Sequence, residues 1–354
     1  MSLEKRIKGF VQLGLFLKQF KTGVKNESLT NLNNEYYDNF EALILRQKAY
    51  NGWFDKENVI NSVTEIGNSL SEENLKEWLS KYQIKDYSDK TIGVIMAGNI
   101  PMVGFHDMLC ILISGNKIQA KLASGDNTLI QKVGEILISI EPLFKNKISF
   151  VERLENFDAV IATGSNNTAR YFEQYFGKYP HVIRKNRNSV AVIDDKDGVE
   201  EIKHLGKDIF QYYGLGCRSV SKLYFPKGYR IDTFFESIID EFQDVTQNNK
   251  YANNYDYNKA VYLMGCNQLL DNGFLLLKEE ESLVSPVGVL NYEFYNSIDE
   301  LKNQLDEQKD ELQCVVSSKN SQLNTLEFGG AQSPRLNDYA DGVDTIQFLL
   351  RLNQ

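Results

Sequence analysis

The chain reads as an α/β protein built on a mostly parallel, doubly wound sheet. Between Thr91 and Ile193, short apolar runs of strand length alternate with apolar patterns of helix length, and strands joined through crossover helices pair in parallel. Gly, Asn and Ser residues stand at the joints, where turns need them. At 354 residues, 42% apolar and 25% charged, the composition is globular and leaves room for more than one domain.

Residues 1–90 read as helical. Ile7, Phe10, Val11, Leu15, Leu17 and Phe20 fit one broad helix face, and Gln12, Gly14 and Lys18 argue against a signal peptide. Trp53 and Phe54 precede the pattern Val59, Ile60, Val63, Ile66. Ser71 stands as an N-cap, with Glu72 and Glu73 in the first turn and Leu75, Trp78, Leu79 and Tyr82 on one face. The polar stretch Lys81 to Lys90 marks a first boundary.

From Thr91 the texture changes. The run Ile92 to Met96 is a buried-strand pattern, followed by the turn Ala97-Gly98-Asn99-Ile100-Pro101. An apolar helix over Met102 to Ile113 and a strand over Lys117 to Leu122 complete a βαβ unit. A helix follows Asp126, then strands at Ile148 to Val151 and Phe157 to Ile161. The Thr163-Gly164-Ser165 turn opens a helix running through Phe176, and the strand Ser189 to Ile193 ends the series. A phosphate could dock at that turn, or it is an ordinary helix cap. G-x-G-x-x-G is absent.

A helix over Val199 to Tyr213 stops at Gly214. Cys217 follows in a turn flanked by glycines, where a cysteine is a candidate nucleophile, before the strand Val220 to Phe225. Cys110, Cys266 and Cys314 lie in apolar patterns and are expected in the core. Without C-x-x-C pairs the four cysteines predict no zinc and no disulfide framework, and with them a reducing, cytoplasmic compartment. The net charge of −9 argues against nucleic acid or an anionic membrane as the main partner. No run approaches a membrane span. The basic run Arg184, Lys185, Arg187 is expected on a solvated face, and His181 beside Pro180 as a structural residue.

Several segments in order resemble the aldehyde dehydrogenase superfamily. Ala97 to Pro101 is similar to its asparagine-x-proline loop, Gly115 to Lys121 to its glycine-asparagine-to-lysine strand, Thr163 to Ser165 to its T-G-S turn, and Gly214 to Cys217 to its nucleophile loop. The tail Phe328 to Pro334 with Asp338 to Asp344 resembles the bacterial LuxC-type acyl-CoA reductases, over roughly residues 50–350 in all. The resemblance implies an aldehyde-dehydrogenase-like fold with a helical N-terminal segment (1–90) packing on a dinucleotide-binding domain (91–198). A catalytic domain (199–326) and a C-terminal tail (327–354) would follow. It implies Cys217 as the acyl-accepting thiolate, and an oxyanion hole from the Asn99 amide and the Cys217 N–H. Lys121 would contact the adenosine ribose, and Thr163, Gly164 and Ser165 would lie near the nicotinamide or its phosphates.

Ile183 stands where hydrolytic members of that superfamily carry a water-activating glutamate. Ser124 stands where NAD-preferring members often carry an acid, which leaves room for the 2′-phosphate of NADPH. The region Glu281 to Pro286 does not place an acid cleanly where the family's E-x-F-G-P loop has one. The expected activity is NADPH-dependent reduction of an acyl-CoA or acyl-carrier thioester to the aldehyde. Aldehyde oxidation, acyl transfer by the same cysteine, or a non-catalytic partner subunit are the alternatives. A homo-oligomer is expected on base rate.

Overall fold

The computed structural model describes residues 1–319, 323 and 325–352. Two compact units emerge: residues 1–185 with 335–354, and residues 186–334.

In the first unit, helices α1 (Leu3–Thr22), α2 (Thr30–Tyr50), α3 (Lys56–Ser69) and α4 (Glu72–Leu79) precede the sheet. Then follow β1 (Thr91–Ile95), α5 (Phe105–Ile113), β2 (Lys117–Lys121), α6 (Thr128–Ile140), β3 (Ile148–Phe150), β4 (Ala159–Thr163), α7 (Asn166–Phe176) and β5 (His181–Arg184). The strands are ordered β3-β2-β1-β4-β5, all parallel. This is the doubly wound order, with the direction of winding reversed between β1 and β4.

Local chemistry explains the element ends. Ser71 caps α4 by accepting from Asn74 N. The helix expected from Met102 begins three residues later, at Phe105, because Met102 takes a left-handed φ of 57°. The α1–α3 contact is close because two glycines make it so. A Cβ on Gly14 would lie 2.7 Å from Leu70 Cβ, and one on Gly67 would lie 3.0 Å from the Gly14 carbonyl. Phe10, Phe16, Phe40 and Val63 from these helices share one core with Ile92, Ile111 and Leu137 of the sheet layer. Leu15, expected on the apolar face of α1, is exposed instead.

The second unit contains β6 (Asn188–Val192), α8 (Val199–Phe210), β7 (Val220–Pro226), α9 (Ile231–Phe242), α10 (Asn249–Met264), β8 (Leu270–Asp271), β9 (Leu276–Glu279), β10 (Val289–Tyr295), α11 (Ile298–Glu307), β11 (Leu312–Ser317) and β12 (Leu326–Glu327). Its sheet runs β12-β11-β6-β7-β10-β9-β8, parallel except for the β8–β9 pair. The strand at Ser189, read from sequence as the last of the first sheet, therefore belongs here, paired with β7 and β11. Periodicity marks a strand but not its partners. The first sheet ends instead on β5, a strand absent from the sequence reading.

The chain returns to the first unit at Arg335 and ends in α12 (Thr345–Arg351). Asp344 caps α12 through Gln347 N and also accepts from the Tyr82 hydroxyl at 2.7 Å. Trp78 Nε1 donates to the Tyr339 hydroxyl, and His106 Nε2 bonds the Leu336 carbonyl. Arg184, expected on a solvated face, is buried. Its guanidinium donates to Asp107 Oδ2 at 2.5 Å and to Thr345 Oγ1 at 3.0 Å. Lys185 is exposed beside Glu173, and Arg187 donates to the Leu312 carbonyl. Among the described residues no helix is long and apolar enough to cross a membrane.

Truncating one partner of a buried ion pair leaves the other charge uncompensated, at a cost of about 3–5 kcal/mol. Asp107→Ala should therefore lower the denaturant midpoint, with the unfolding free energy reduced by an amount in that range. An Asp107→Leu/Arg184→Met pair should recover most of the loss. Equal midpoints for wild type and Asp107→Ala would show that the pair holds nothing together.

Candidate active site

In the first unit the sequence-predicted residues collect at the carboxyl ends of three adjacent strands. The register sets Lys121 opposite Ile95, Ile95 opposite Ala162, and Thr163 opposite Arg184. Asn99 lies in the loop after β1, Lys121 and Ser124 at the end of β2, and Gly164 and Ser165 after β4. The β1 and β4 loops flank the winding reversal, where open parallel sheets bind ligands. Asn99, Lys121, Ser124 and Ser165 are exposed, while Thr163 and Gly164 are half-buried.

The Asn99 loop is fixed on both sides. A Cβ at Gly98 would come within 2.7 Å of Ala123 Cβ, so a side chain there would lift the loop off the turn after β2. Beyond Asn99, the Pro101 carbonyl accepts from Ser62 Oγ at 2.7 Å, and Met102 N donates to Asp126 Oδ2 at 2.6 Å. Asn51 Nδ2 donates to the Gly125 carbonyl of the same turn. Ser165 serves as the N-cap of α7, accepting from Thr168 N, with its hydroxyl 2.9 Å from Thr168 Oγ1. Both readings of that turn thus have a physical basis, since a capped helix start still presents its first amides.

Cys217 belongs to the second unit. Helix α8, expected to reach Tyr213, ends at Phe210, because Tyr212 and Tyr213 adopt left-handed φ values of 55° and 58° and Gly214 one of 74°. For bulky side chains this region is strained. The turn beyond is closed by reciprocal bonds: Ser219 N donates to the Gly216 carbonyl at 3.0 Å, and Gly216 N donates to Ser219 Oγ at 3.3 Å. Ser189 Oγ donates to the Cys217 carbonyl at 2.8 Å. Its single proton is spent there, so the Cys314 thiol, 3.0 Å away, donates to it.

Two further segments converge on this turn. Asp208, fully buried on α8, accepts from Gly329 N at 2.7 Å and Ala331 N at 3.0 Å. That holds the Phe328-Gly-Gly-Ala-Gln332 segment so that Gln332 Nε2 donates to Ser219 Oγ. The strand leaving Cys217 then holds the 281–284 loop. Ser221 Oγ donates to the Leu283 carbonyl, and Lys222 Nζ donates to the Glu281 carbonyl and pairs with Glu293. Asn291 Nδ2 donates to the Ser282 and Val284 carbonyls.

The four cysteines separate clearly. Burial raises the Cys110 thiol far above its ordinary range and pushes Cys314 up to about 11. Cys217 and Cys266 are exposed, so the expectation that Cys266 lies in the core is corrected. It follows the last turn of α10 at a φ of 54°, where the chain has already left the helix's packed face. His181 is exposed on β5, with Nδ1 2.8 Å from the Tyr179 carbonyl.

Sequence reasoning missed Ser62, Asp126, Ser189, Asp208 and Lys222. The last two carried a signal. Asp208 interrupts the buried face between Leu205 and Ile209, and Lys222 interrupts a run of strand residues. A charge inside an apolar pattern is costly unless something meets it.

Burial lifts the Asp126 carboxyl to about 7 and the Asp208 carboxyl to about 6, although backbone N–H donors pull both down. A carboxyl raised above its ordinary value of 3.8 binds its proton more tightly in the folded state. It therefore gives stability that is full below that value and is lost as pH rises through 6 to 7. Asp126→Asn cannot titrate, so its Tm relative to wild type should rise by several degrees between about pH 5 and about pH 8. A Tm difference independent of pH would place the carboxyl's titration outside this window.

A model of the acyl-CoA reductase (LuxC) family matches residues 16–328. Comparison with curated protein sequences gives no match. Among solved structures, the chain is similar to aldehyde dehydrogenase 21 from Physcomitrella patens in complex with the reaction product succinate. The identity is 13% and the TM-score 0.66, over 99% of this chain and 84% of that one. It is also similar to an indole-3-acetaldehyde dehydrogenase complexed with NAD+, at 13% identity and TM-score 0.63, over 91% and 73% of the two chains. Delta-pyrroline-5-carboxylate dehydrogenase from Mycobacterium tuberculosis matches at 13% identity and TM-score 0.58, over 99% and 77%. These identities establish the fold alone; the family match spans most of the sequence. The chain belongs to the LuxC acyl-CoA reductase family and is an oxidoreductase with the aldehyde dehydrogenase fold.

Proposed function

We propose that this protein reduces an acyl-CoA to the aldehyde with NADPH, through a covalent thioester on Cys217. The observation that carries the reading is the turn around Cys217. An exposed cysteine follows three left-handed residues, and buried Ser189, Asp208, Ser219 and Gln332 hold that turn. Such outlay in strain and buried polar groups points to a site whose geometry matters.

Cys217 Sγ, as the thiolate, attacks the acyl thioester carbonyl and forms a new C–S bond. The tetrahedral oxyanion draws on the Asn99 amide and the Cys217 N–H. It collapses with cleavage of the C–S bond to CoA, which leaves as the thiolate and takes up a proton. The exchange of one thioester for another is nearly isoenergetic, which suits cysteine better than serine. Bound NADPH would supply a hydride to the acyl carbon. The resulting thiohemiacetal expels Cys217 as thiolate and releases the aldehyde.

The residues at the carboxyl edge of the first sheet fit a dinucleotide with a 2′-phosphate. Lys121 offers an exposed cation, and Ser124 an exposed neutral hydroxyl in the same turn. The acid nearest in that turn, Asp126, is turned inward onto Met102 N rather than toward a ligand. Ile183 on β5 offers no base to activate water, which favours hydride over water as the acceptor of the acyl group.

Mixing the protein with acyl-CoA should raise its intact mass by one acyl group, and adding NADPH should remove that mass with release of aldehyde. Cys217→Ala should abolish both steps while remaining folded; turnover in that variant would overturn the assignment. Asn99→Ala should slow acylation by about 10²–10³-fold, as loss of one oxyanion donor does.

A further inference from the structure

We propose that Asp126 is a positioning residue that holds the Asn99 loop in the geometry needed to stabilise the oxyanion. This rests on the reading of Asn99 as an oxyanion donor. Asp126 touches neither substrate nor cofactor in this account and acts through the backbone of the loop.

Three observations carry it. Asp126 is only 3% exposed, and among the described residues its Oδ1 has no hydrogen-bond partner. A carboxyl so placed is costly to ionise. Among the described residues its carboxyl is met by Met102 N, which donates to Oδ2 at 2.6 Å. Met102, three residues after Asn99, sits at a φ of 57°, a conformation that a long side chain adopts only when its surroundings impose it. Finally, Gly98, immediately before Asn99, packs on the same turn: its Cβ position lies 2.7 Å from Ala123 Cβ and 3.2 Å from Asp126 N. One turn after β2 thus braces the loop on both sides of Asn99, and Asp126 supplies the side-chain bond by which that turn holds Met102 N.

Donors to a developing oxyanion act only when they are already in place, and a displacement of about 1 Å can cost on the order of 10²-fold. The acceptor on Met102 N fixes the direction in which the chain leaves Pro101, and hence where the Asn99 amide points.

The test is a double-mutant cycle on the full chain, with palmitoyl-CoA and octanoyl-CoA as acyl donors and Cys217 acylation read by rapid-quench intact mass. The rate constant at saturation and the half-saturating concentration are measured for wild type and for Asn99→Ala, Asp126→Ala, Asp126→Asn and the Asn99→Ala/Asp126→Ala double variant. Asp126→Ala should lose about 10–100-fold in the rate constant, with the half-saturating concentration nearly unchanged. Asp126→Asn should recover most of that loss, because its amide oxygen still accepts from Met102 N. The double variant should be no slower than Asn99→Ala alone, since both remove one function. If Asp126→Ala does not fold, Asp126→Glu, which keeps the charge but lengthens the arm, carries the same cycle.

A loss at Asp126 that multiplies with the loss at Asn99, or a wild-type rate in Asp126→Ala, overturns the proposal. An Asn99→Ala variant that acylates at the wild-type rate overturns instead the oxyanion reading on which it rests.

Discussion

The ion pair between Arg184 and Asp107 is the point on which the first unit turns. Arg184 ends β5, one residue before the chain leaves that unit; Asp107 lies in the first turn of α5, just beyond the Asn99 loop. Thr345, bonded to the same guanidinium, opens the last helix. Buried ion pairs give back in attraction about what they lose in hydration, so the pair adds little to net stability. What it supplies is registration. Three stretches remote in sequence are brought together at the carboxyl edge of the sheet, and a shift of either charged one would strand its partner's charge in the core.

Most of the fold was legible from alternating patterns. The helices before Thr91, the βαβ unit and the caps at Ser71 and Ser165 follow from local chemistry that short windows contain. Partnership was not legible. Nothing in Ser189-Val-Ala-Val says which sheet it joins, and β5 was missed because Val182 and Ile183 are too few to make a pattern. The candidate site divides the same way. Asn99, Lys121 and Cys217 stand in motifs, whereas Asp126, Ser189 and Asp208 act through bonds to backbone atoms. Backbone N–H and C=O groups are present at nearly every position, so a side chain that seeks one leaves no partner residue to find.

Around Cys217 the structure concentrates cost. Two tyrosines in left-handed geometry carry roughly 1–3 kcal/mol each, and they persist because their surroundings allow nothing else. The Tyr213 ring lies 6.0 Å from Tyr251, itself anchored to the Phe274 carbonyl. Leu215 N closes back on the Tyr212 carbonyl, and Gln332 seals the turn from outside. The cysteine therefore sits on a backbone set by several independent contacts, each drawn from a different part of the second unit.

The order of the chain has a consequence for how the molecule comes into being. Residues 186–334 are continuous, but the first unit is closed by a segment that begins at Arg335. During synthesis the second unit has all of its residues while the first still lacks Tyr339, Asp344 and Thr345. Until those emerge, Trp78, Tyr82 and Arg184 have side-chain polar groups without these native partners. The helices before Thr91 thus depend for their completion on a segment that follows the whole of the second unit in the chain.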